Sequence, residues 1–352
     1  MHDCEDNFGD LYFKALKLYG KVNCIPVSAT FELTPLCNFN CPMCYVHRQK
    51  DKETVSRMMN AKQWLDLARQ AKELGTLQLT LTGGEIFTYP EFWGLYSELN
   101  KMGFLISLLS NGYLIDEKVK ENFIKYGMPH SMKLSLYGAS NETYEKMCGV
   151  KNGLDRFSKA VDILKELKIP FEVTSTIIKD NFDDLEAMYI FAKEKNFKFF
   201  HTYAVAKSQR VVNQSMNRFY AVDFEDRLTI KEIEFSFKHP VYKNPFDGCG
   251  SYRNSFWLGW DGRMMFCSFA PKYSVSIKDK SLKTAWNELN DNLSKLKVPA
   301  KCENCEANEL CSNCPGVLCG ETGSYNKLSK ERCERTHRLY SIYQNLLKER
   351  EK

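Results

Sequence analysis

The sequence contains no run of 18 apolar residues, so no membrane-spanning helix is expected from it. It opens on Met1-His2-Asp3-Cys4-Glu5-Asp6, polar and acidic, without the charged start and apolar stretch of a secretory signal. Both absences predict a cytoplasmic protein. Basic residues are not massed: 49 Lys and Arg stand against 44 Asp and Glu, a net charge of +5 with no basic block. Nucleic acid is therefore not an expected partner. No internal repeat or low-complexity tract interrupts the chain. Histidine is scarce, six residues in 352, and His47, His130 and His201 each stand alone in sequence, which predicts packing or surface roles for them.

Cysteine, by contrast, is abundant: 14 residues. A cytoplasmic compartment keeps thiols reduced, so a disulfide framework is not expected and metal binding is the better reading. With 352 residues, 43% of them hydrophobic, the chain can bury one large core and a smaller one.

After a short helix predicted over Phe8–Tyr19, strand-like and helix-like patterns alternate. The strands are expected at Ala29–Leu33, Leu77–Leu81, Phe104–Leu109, Met132–Leu136, Phe171–Ile177 and Phe199–Val205. Helices are expected at Ala61–Leu74, Glu91–Met102, Asp116–Tyr126, Leu154–Leu167 and Phe182–Lys195, with Gly75, Gly103 and Gly127 as stops. Six such units predict an α/β fold with a parallel sheet, a partial (β/α)6 TIM-like barrel rather than a closed one of eight. The expected organisation is an N-terminal extension over 1–26, the barrel over 27–205, an irregular bridge over 206–246, a cysteine-rich module over 247–335 and a charged helix over 336–352, its pattern starting near Glu331.

Ligands of such sheets collect at the C-terminal strand ends. The first strand runs into Cys37-Asn38-Phe39-Asn40-Cys41-Pro42-Met43-Cys44, a C-x3-C-x2-C loop. Thiolates are soft ligands suited to iron–sulfur units, and a cubane normally takes four. Three local ligands leave one iron open, which marks an active site rather than a closed structural one. A zinc knuckle or reduced structural thiols is the competing reading. The second strand ends in Gly83-Gly84-Glu85, the third in Ser110-Asn111-Gly112, the fourth in Ser135-Leu136-Tyr137-Gly138. Paired glycines allow close backbone approach, and Glu85 puts a carboxylate there.

Over about 180 residues these motifs resemble the radical S-adenosylmethionine (SAM) superfamily. The resemblance implies that Cys37, Cys41 and Cys44 hold a 4Fe–4S cluster whose open iron chelates SAM. It assigns Gly83, Gly84 and Glu85 to the SAM amino group and Ser110, Asn111 and Ser135 to its polar remainder. Met43 stands where the family often has an aromatic residue against adenine, and Tyr137 replaces the aspartate of a common Ser-x-Asp-Gly ending. A reductant such as flavodoxin or ferredoxin would be a partner.

In the module, Cys249 and Cys267 bracket a hairpin expected to turn at Asp261-Gly262. Cys302-x2-Cys305-x5-Cys311-x2-Cys314-x4-Cys319-x13-Cys333 follows. This resembles the SPASM extension, which carries auxiliary iron–sulfur clusters. The resemblance gives Cys302, Cys305, Cys311 and Cys333 to an outer cluster and Cys249, Cys267 and Cys314 to an inner one. Two zinc sites are the alternative, since C-x2-C pairs also suit zinc. Cys311 and Cys314 are two residues apart where the family usually has three. Cys319 is additional, and either completes the inner cluster or leaves it an open iron. Cys4, Cys24 and Cys148 are expected to be free thiols.

The two-part layout implies a peptide or protein substrate and a maturase-type oxidation, cross-link or epimerisation. A sugar or aminocyclitol is the alternative, and a non-catalytic metal module a second. The aromatics Phe219, Tyr220, Phe224, Phe235, Phe237, Tyr242 and Phe246 are expected to pack the two parts together, with a peptide groove as the other reading. Some 25 residues precede the barrel, too few for a leader-binding domain, so leader recognition would need a separate partner, or the substrate would be read directly.

Overall fold

The computed structural model describes residues 8–46, 51–203, 205, 224–240, 246, 248–296, 300–302, 304–311, 314–325 and 327–350. In chain order the first half runs α1 (Phe8–Asn23), β1 (Ser28–Glu32), α2 (Lys52–Arg57), α3 (Ala61–Glu73), β2 (Gln78–Thr82), α4 (Phe92–Lys101), β3 (Leu105–Ser110), α5 (Glu117–Tyr126), β4 (Ser131–Ser135), α6 (Asn141–Cys148), α7 (Gly153–Glu166), β5 (Phe171–Thr176), α8 (Leu185–Glu194) and β6 (Phe199–Thr202). The second half contains α9 (Ile230–Ser236), β7 (Ser255–Leu258), β8 (Arg263–Met265), β9 (Val275–Ser276), α10 (Leu282–Ser294), α11 (Pro315–Thr322) and α12 (Lys330–Arg350). Every strand and crossover helix expected over 27–205 is present. The short helices α2 and α6 were not anticipated, because neither repeats its apolar positions over enough turns.

Local chemistry fixes the helix ends. Asn60 and Gln63 form a reciprocal capping box at the start of α3, and Asp116 accepts from Val119 N–H at the start of α5. Gly127, at φ 104°, ends α5 in a conformation that a side chain would oppose.

The sheet order is β6-β5-β4-β3-β2-β1-β7-β8-β9. Strands β1 to β6 are all parallel to their neighbours. The sheet does not stop at six strands. Strand β7, beyond the bridge, lies parallel to β1 with Thr30 opposite Trp257. The expected hairpin then turns back as antiparallel β8 and β9, with Gly262 at φ 78° in the turn. The module thus begins by extending the barrel sheet, a pairing invisible to local pattern because it joins residues more than 200 apart in sequence.

The strands alternate apolar and polar, and this decides what each face does. Phe31 packs its ring on Trp64 of α3 at 4.9 Å, so the helix-facing positions are Ala29, Phe31, Leu79, Leu81, Ile106, Leu108, Met132 and Leu134, all buried. Alternate positions face the other way. They read Ser28, Thr30, Glu32; Gln78, Thr80, Thr82; Ser107, Leu109; Ser131, Lys133, Ser135; and Glu172, Thr174, Thr176. A parallel sheet covered by helices on both faces would be apolar at both sets of positions. The inner face here is polar, with Lys133 and Glu172 opposite each other in register and both exposed. It is joined internally by Ser107 and Ser131 (Oγ–Oγ 2.9 Å) and by the Trp257 indole N–H donating to Glu32 at 3.0 Å.

A second, smaller core gathers Leu228 and Ile233 around α9, Leu310, and Leu339 and Tyr343 of α12. Of the bridge aromatics, Phe246 is buried and stacked on Tyr252 at 4.4 Å, Phe237 packs on the second core, and Phe235 is exposed. Phe219, Tyr220 and Tyr242, like the side chain of Phe224, lie outside the described residues. Among the described residues no helix is long and apolar enough to cross a membrane.

Candidate active site and metal centres

The cysteine loop leaves β1 at the end expected for a ligand site and is sewn to the end of β2. Gly84 N–H donates to Thr34 C=O at 2.7 Å, Glu85 N–H to Leu36 C=O at 2.9 Å, and the Thr88 hydroxyl to the same carbonyl at 3.1 Å. The two glycines make that seam fit: a Cβ on Gly83 would meet Thr34 C=O, and one on Gly84 would run into Leu36 C=O. The close approach that they permit is thus already used by the chain's own backbone.

Glu85, Ser110 and Asn111 converge beneath the loop. The Glu85 carboxylate accepts from Ser110 Oγ at 3.0 and 3.1 Å, from Asn111 N–H at 2.8 Å and from Phe87 N–H at 3.3 Å. It is buried, and burial pushes its carboxyl up to about 7 despite those donors. Asn111 Nδ2 reaches Asn38 Oδ1 at 2.9 Å and Cys37 Sγ at 3.7 Å, which links the third strand to the cysteine loop. Ser135 closes β4, half-buried, and joins none of these hydrogen bonds. Met43 is half-buried and packs on the main core from within the loop.

The Cys37 thiol is pushed up by burial first and by the Glu85 carboxylate second, while Phe39 N–H, at 3.3 Å, draws it down. A thiol so placed ionises when a metal replaces its proton. Cys41 is likewise raised, by a hydrogen bond with Cys148 and by burial, and the Tyr137 hydroxyl opposes this with a bond of its own. Cys148 is a free thiol, as expected, but its place in the fold was not foreseen. Spacing places it 104 residues from Cys44, yet α6 delivers it, fully buried, against the loop. Cys24 does behave as an isolated cysteine: its carbonyl accepts from the Trp286 indole at 2.9 Å. Cys4 lies outside the described residues.

In the module, Cys302, Cys305, Cys311 and Cys333 share the wall of one cavity of about 250 Å³, together with Arg332, Thr336 and His337. Each of Cys302, Cys311 and Cys333 is raised by burial first, then by other thiols of the set. Cys249, Cys267 and Cys314 form a second group: burial first and then the charge of Cys314 raise both Cys249 and Cys267, and Cys249 adds to the rise at Cys267. The start of α11 carries Cys314 and lies against Cys267 through Gly316. Cys319, on the next turn of α11, is buried, as is Tyr325 just beyond the end of that helix. Among the described residues no three His, Cys, Asp or Glu converge tightly enough to hold a single metal ion. The outer four thiols line one cavity, and thiolate is the ligand that iron–sulfur clusters take.

Sequence reading missed His337, whose Nε2 lies 3.6 Å from Cys305 Sγ. The available signal was its place one helical turn after Cys333 on α12. His201 bonds Tyr189 at 2.8 Å and His130 is exposed, as expected of packing and surface residues, whereas His47 lies outside the described residues.

The family model of the Radical SAM superfamily matches residues 31–192. The chain is 23% identical over 336 residues to an AdoMet-dependent heme synthase of Methanosarcina barkeri, covering 85% of this chain and 94% of that protein. It is 26% identical over 169 residues to the PqqA peptide cyclase of Gluconobacter oxydans, 48% of this chain and 46% of the cyclase, so that match spans about half of the relative. Its fold matches Streptococcus suis SuiB solved with the precursor peptide SuiA, at TM-score 0.68 and 17% identity, over 93% of this chain and 81% of the other. With the C-x3-C-x2-C loop seated over the Gly-Gly-Glu strand end, residues 31–192 form a radical SAM domain.

Proposed function

We propose that the chain is a peptide-modifying radical SAM enzyme in which Cys37, Cys41 and Cys44 bind a 4Fe–4S cluster. Bound together, the cluster and SAM supply a 5′-deoxyadenosyl radical for hydrogen-atom abstraction. Glu85 presents a buried carboxylate to the SAM ammonium, held in place by Ser110 and the Asn111 N–H. An ammonium against Glu85 holds it ionised, offsetting the burial that raises it. Asn111 braces Asn38 and Cys37, keeping the loop fixed while the ligand binds. Met43 covers the adenine, and Ser135, at the end of β4, completes the polar wall. The four outer thiols hold one auxiliary cluster and Cys249, Cys267 and Cys314, with Cys319 on the following turn, a second. A small electron donor such as flavodoxin or ferredoxin serves as reductant.

The observation that carries the substrate reading is the polar inner face, with Lys133 and Glu172 exposed and opposite in register. Such a face hydrogen-bonds backbone amides and pairs side-chain charges, as a peptide requires. The peptide-directed names of the cyclase and of SuiB support it. The heme synthase match favours a second reading, a small-molecule substrate in the same space. Anaerobic incubation of reconstituted protein with SAM, dithionite and a synthetic peptide library, read by mass spectrometry, tests both. Peptide mass shifts together with 5′-deoxyadenosine support the proposal. 5′-Deoxyadenosine without any peptide change, rising instead with a small-molecule extract, supports the second reading.

A further inference from the structure

Asn38 follows the first cysteine of the loop, and a chain of hydrogen bonds fixes which way its side-chain amide is turned. Tyr113 N–H donates to Asn111 Oδ1 at 3.0 Å, so the nitrogen of the Asn111 amide is the end presented to the loop. That nitrogen donates to Asn38 Oδ1 at 2.9 Å. Turning the Asn38 amide over would set two donors against each other, so Asn38 Nδ2 is the end left over. It is buried, and it has no hydrogen-bond partner among the described residues. The loop is held on either side of it. Phe39 N–H donates to Cys37 Sγ at 3.3 Å, the Phe39 ring meets Tyr113 at 5.5 Å and Tyr137 at 5.7 Å, and Asn40 N–H donates to Cys148 C=O at 2.9 Å. A buried amide donor without an acceptor is unfavourable, and folded proteins seldom keep one.

We infer that Asn38 is a cofactor-binding residue whose side-chain N–H donates to a sulfur of the cluster held by Cys37. This rests on the cluster assignment above. The absent acceptor belongs beside Cys37, because Cys37 Sγ lies 3.8 Å from the oxygen of the same amide. A cluster bonded through that sulfur brings its sulfides close by, and sulfide and thiolate accept hydrogen bonds without donating them. In the cluster-free chain the Cys37 thiol is turned to Asn38 Oδ1. That contact lapses when iron takes the thiol proton, but Asn111 still engages the oxygen, so the amide keeps its orientation. Reduction by one electron adds negative charge to the cluster and its sulfurs. A donor there stabilises the reduced form, and its loss moves the potential down. Exclusion of water strengthens the effect.

The test is pulsed electron paramagnetic resonance of the reduced, reconstituted full-length chain with isotope-labelled nitrogen in its asparagine side-chain amides. Spectra are taken first without SAM and then with it, because only a cluster with an open iron changes its signal on binding SAM. Before SAM is added, two labelled nitrogens should couple to the cluster, that of Asn38 and that of Asn111, which reaches Cys37 Sγ at 3.7 Å. One coupling should vanish in Asn38→Asp, which keeps an oxygen for Asn111 and replaces only the unpaired donor. In an anaerobic redox titration, Asn38→Ala should lower the ratio of reduced to oxidised cluster at the wild-type midpoint about tenfold, about 59 mV for one electron. A merely structural side chain would give no coupling. A single coupling in the wild type overturns the inference even if the variants lose their clusters. Two couplings that survive in Asn38→Asp, or an unchanged midpoint in Asn38→Ala, overturn it as well. A second coupling that appears only with SAM assigns the donor to SAM and overturns the cluster as its acceptor. A wild-type protein with no SAM-responsive signal overturns the cluster assignment, and this inference with it.

Discussion

The Leu36 carbonyl occupies the space that a side chain on Gly84 would need, and the neighbouring Glu85 N–H donates to that same carbonyl at 2.9 Å. The glycine is thus required by the seam between the cysteine loop and β2. Gly84→Ala should cost about 1–3 kcal/mol through overpacking against backbone that cannot yield. The loop should also lose its grip on iron, read as lower iron per chain after reconstitution and a lower denaturation midpoint. An alanine variant with wild-type stability and full iron would show that the seam opens without penalty.

Glu85 makes the cluster-free chain sensitive to pH. Its carboxyl, ordinarily near 4.5, is raised to about 7 by burial. Since the folded value lies above the unfolded one, the favourable contribution is complete below the unfolded value and is lost as pH rises through about 7. At 1.36 kcal/mol for each tenfold in proton affinity, the difference is roughly 3 kcal/mol. Glu85→Gln, which is never charged, should therefore be more stable than wild type near pH 8, with the gap closing toward about pH 5. Thermal melts of the apo proteins measure this, and a gap that does not change with pH would remove burial as the cause.

Position within an element was the part of this molecule most easily read from sequence. Ala29–Leu33 and Leu77–Leu81 alternate apolar and polar residues, and helices such as Ala61–Leu74 repeat at helical spacing, so the parallel sheet and its rim were legible. The same alternation already implied a polar inner face, because helices cover only one side. Three features escaped. The β1–β7 pairing joins residues more than 200 apart, Cys148 reaches the cysteine loop at Asn40 only through the path of α6, and the role of Gly83 and Gly84 depends on which backbone comes close. Each is a contact between distant segments, which local pattern does not encode.

The two groups of cysteines should separate in function. Cys41→Ala should abolish SAM cleavage while the iron of the module is largely kept, because the outer four thiols line a cavity of their own. Cys302→Ala should leave 5′-deoxyadenosine formation intact, lose about four irons and block product formation. Iron and sulfide content with chromatography of the nucleoside product distinguishes these. Normal SAM cleavage by Cys41→Ala would contradict the assignment of the loop.

The contact between Trp257 and Glu32 couples the module to the cysteine loop. Glu32 ends β1, five residues before Cys37, and is fully buried. Trp257 comes from β7, beyond the bridge, and its indole N–H donates to the carboxylate at 3.0 Å. A hydrogen bond to a charged group contributes about 1.5–3 kcal/mol. Trp257→Phe keeps the ring that packs on Tyr45 at 6.5 Å and removes only the donor. It should destabilise the chain by about 2 kcal/mol in chemical denaturation. In a Glu32→Gln background, where the acceptor carries no charge, the same change should cost about half as much, which a double-mutant cycle reads directly. Equal costs in both backgrounds would mean that Trp257 acts by packing alone. The coupling would then not explain why β7 sits beside the strand that carries the cluster loop.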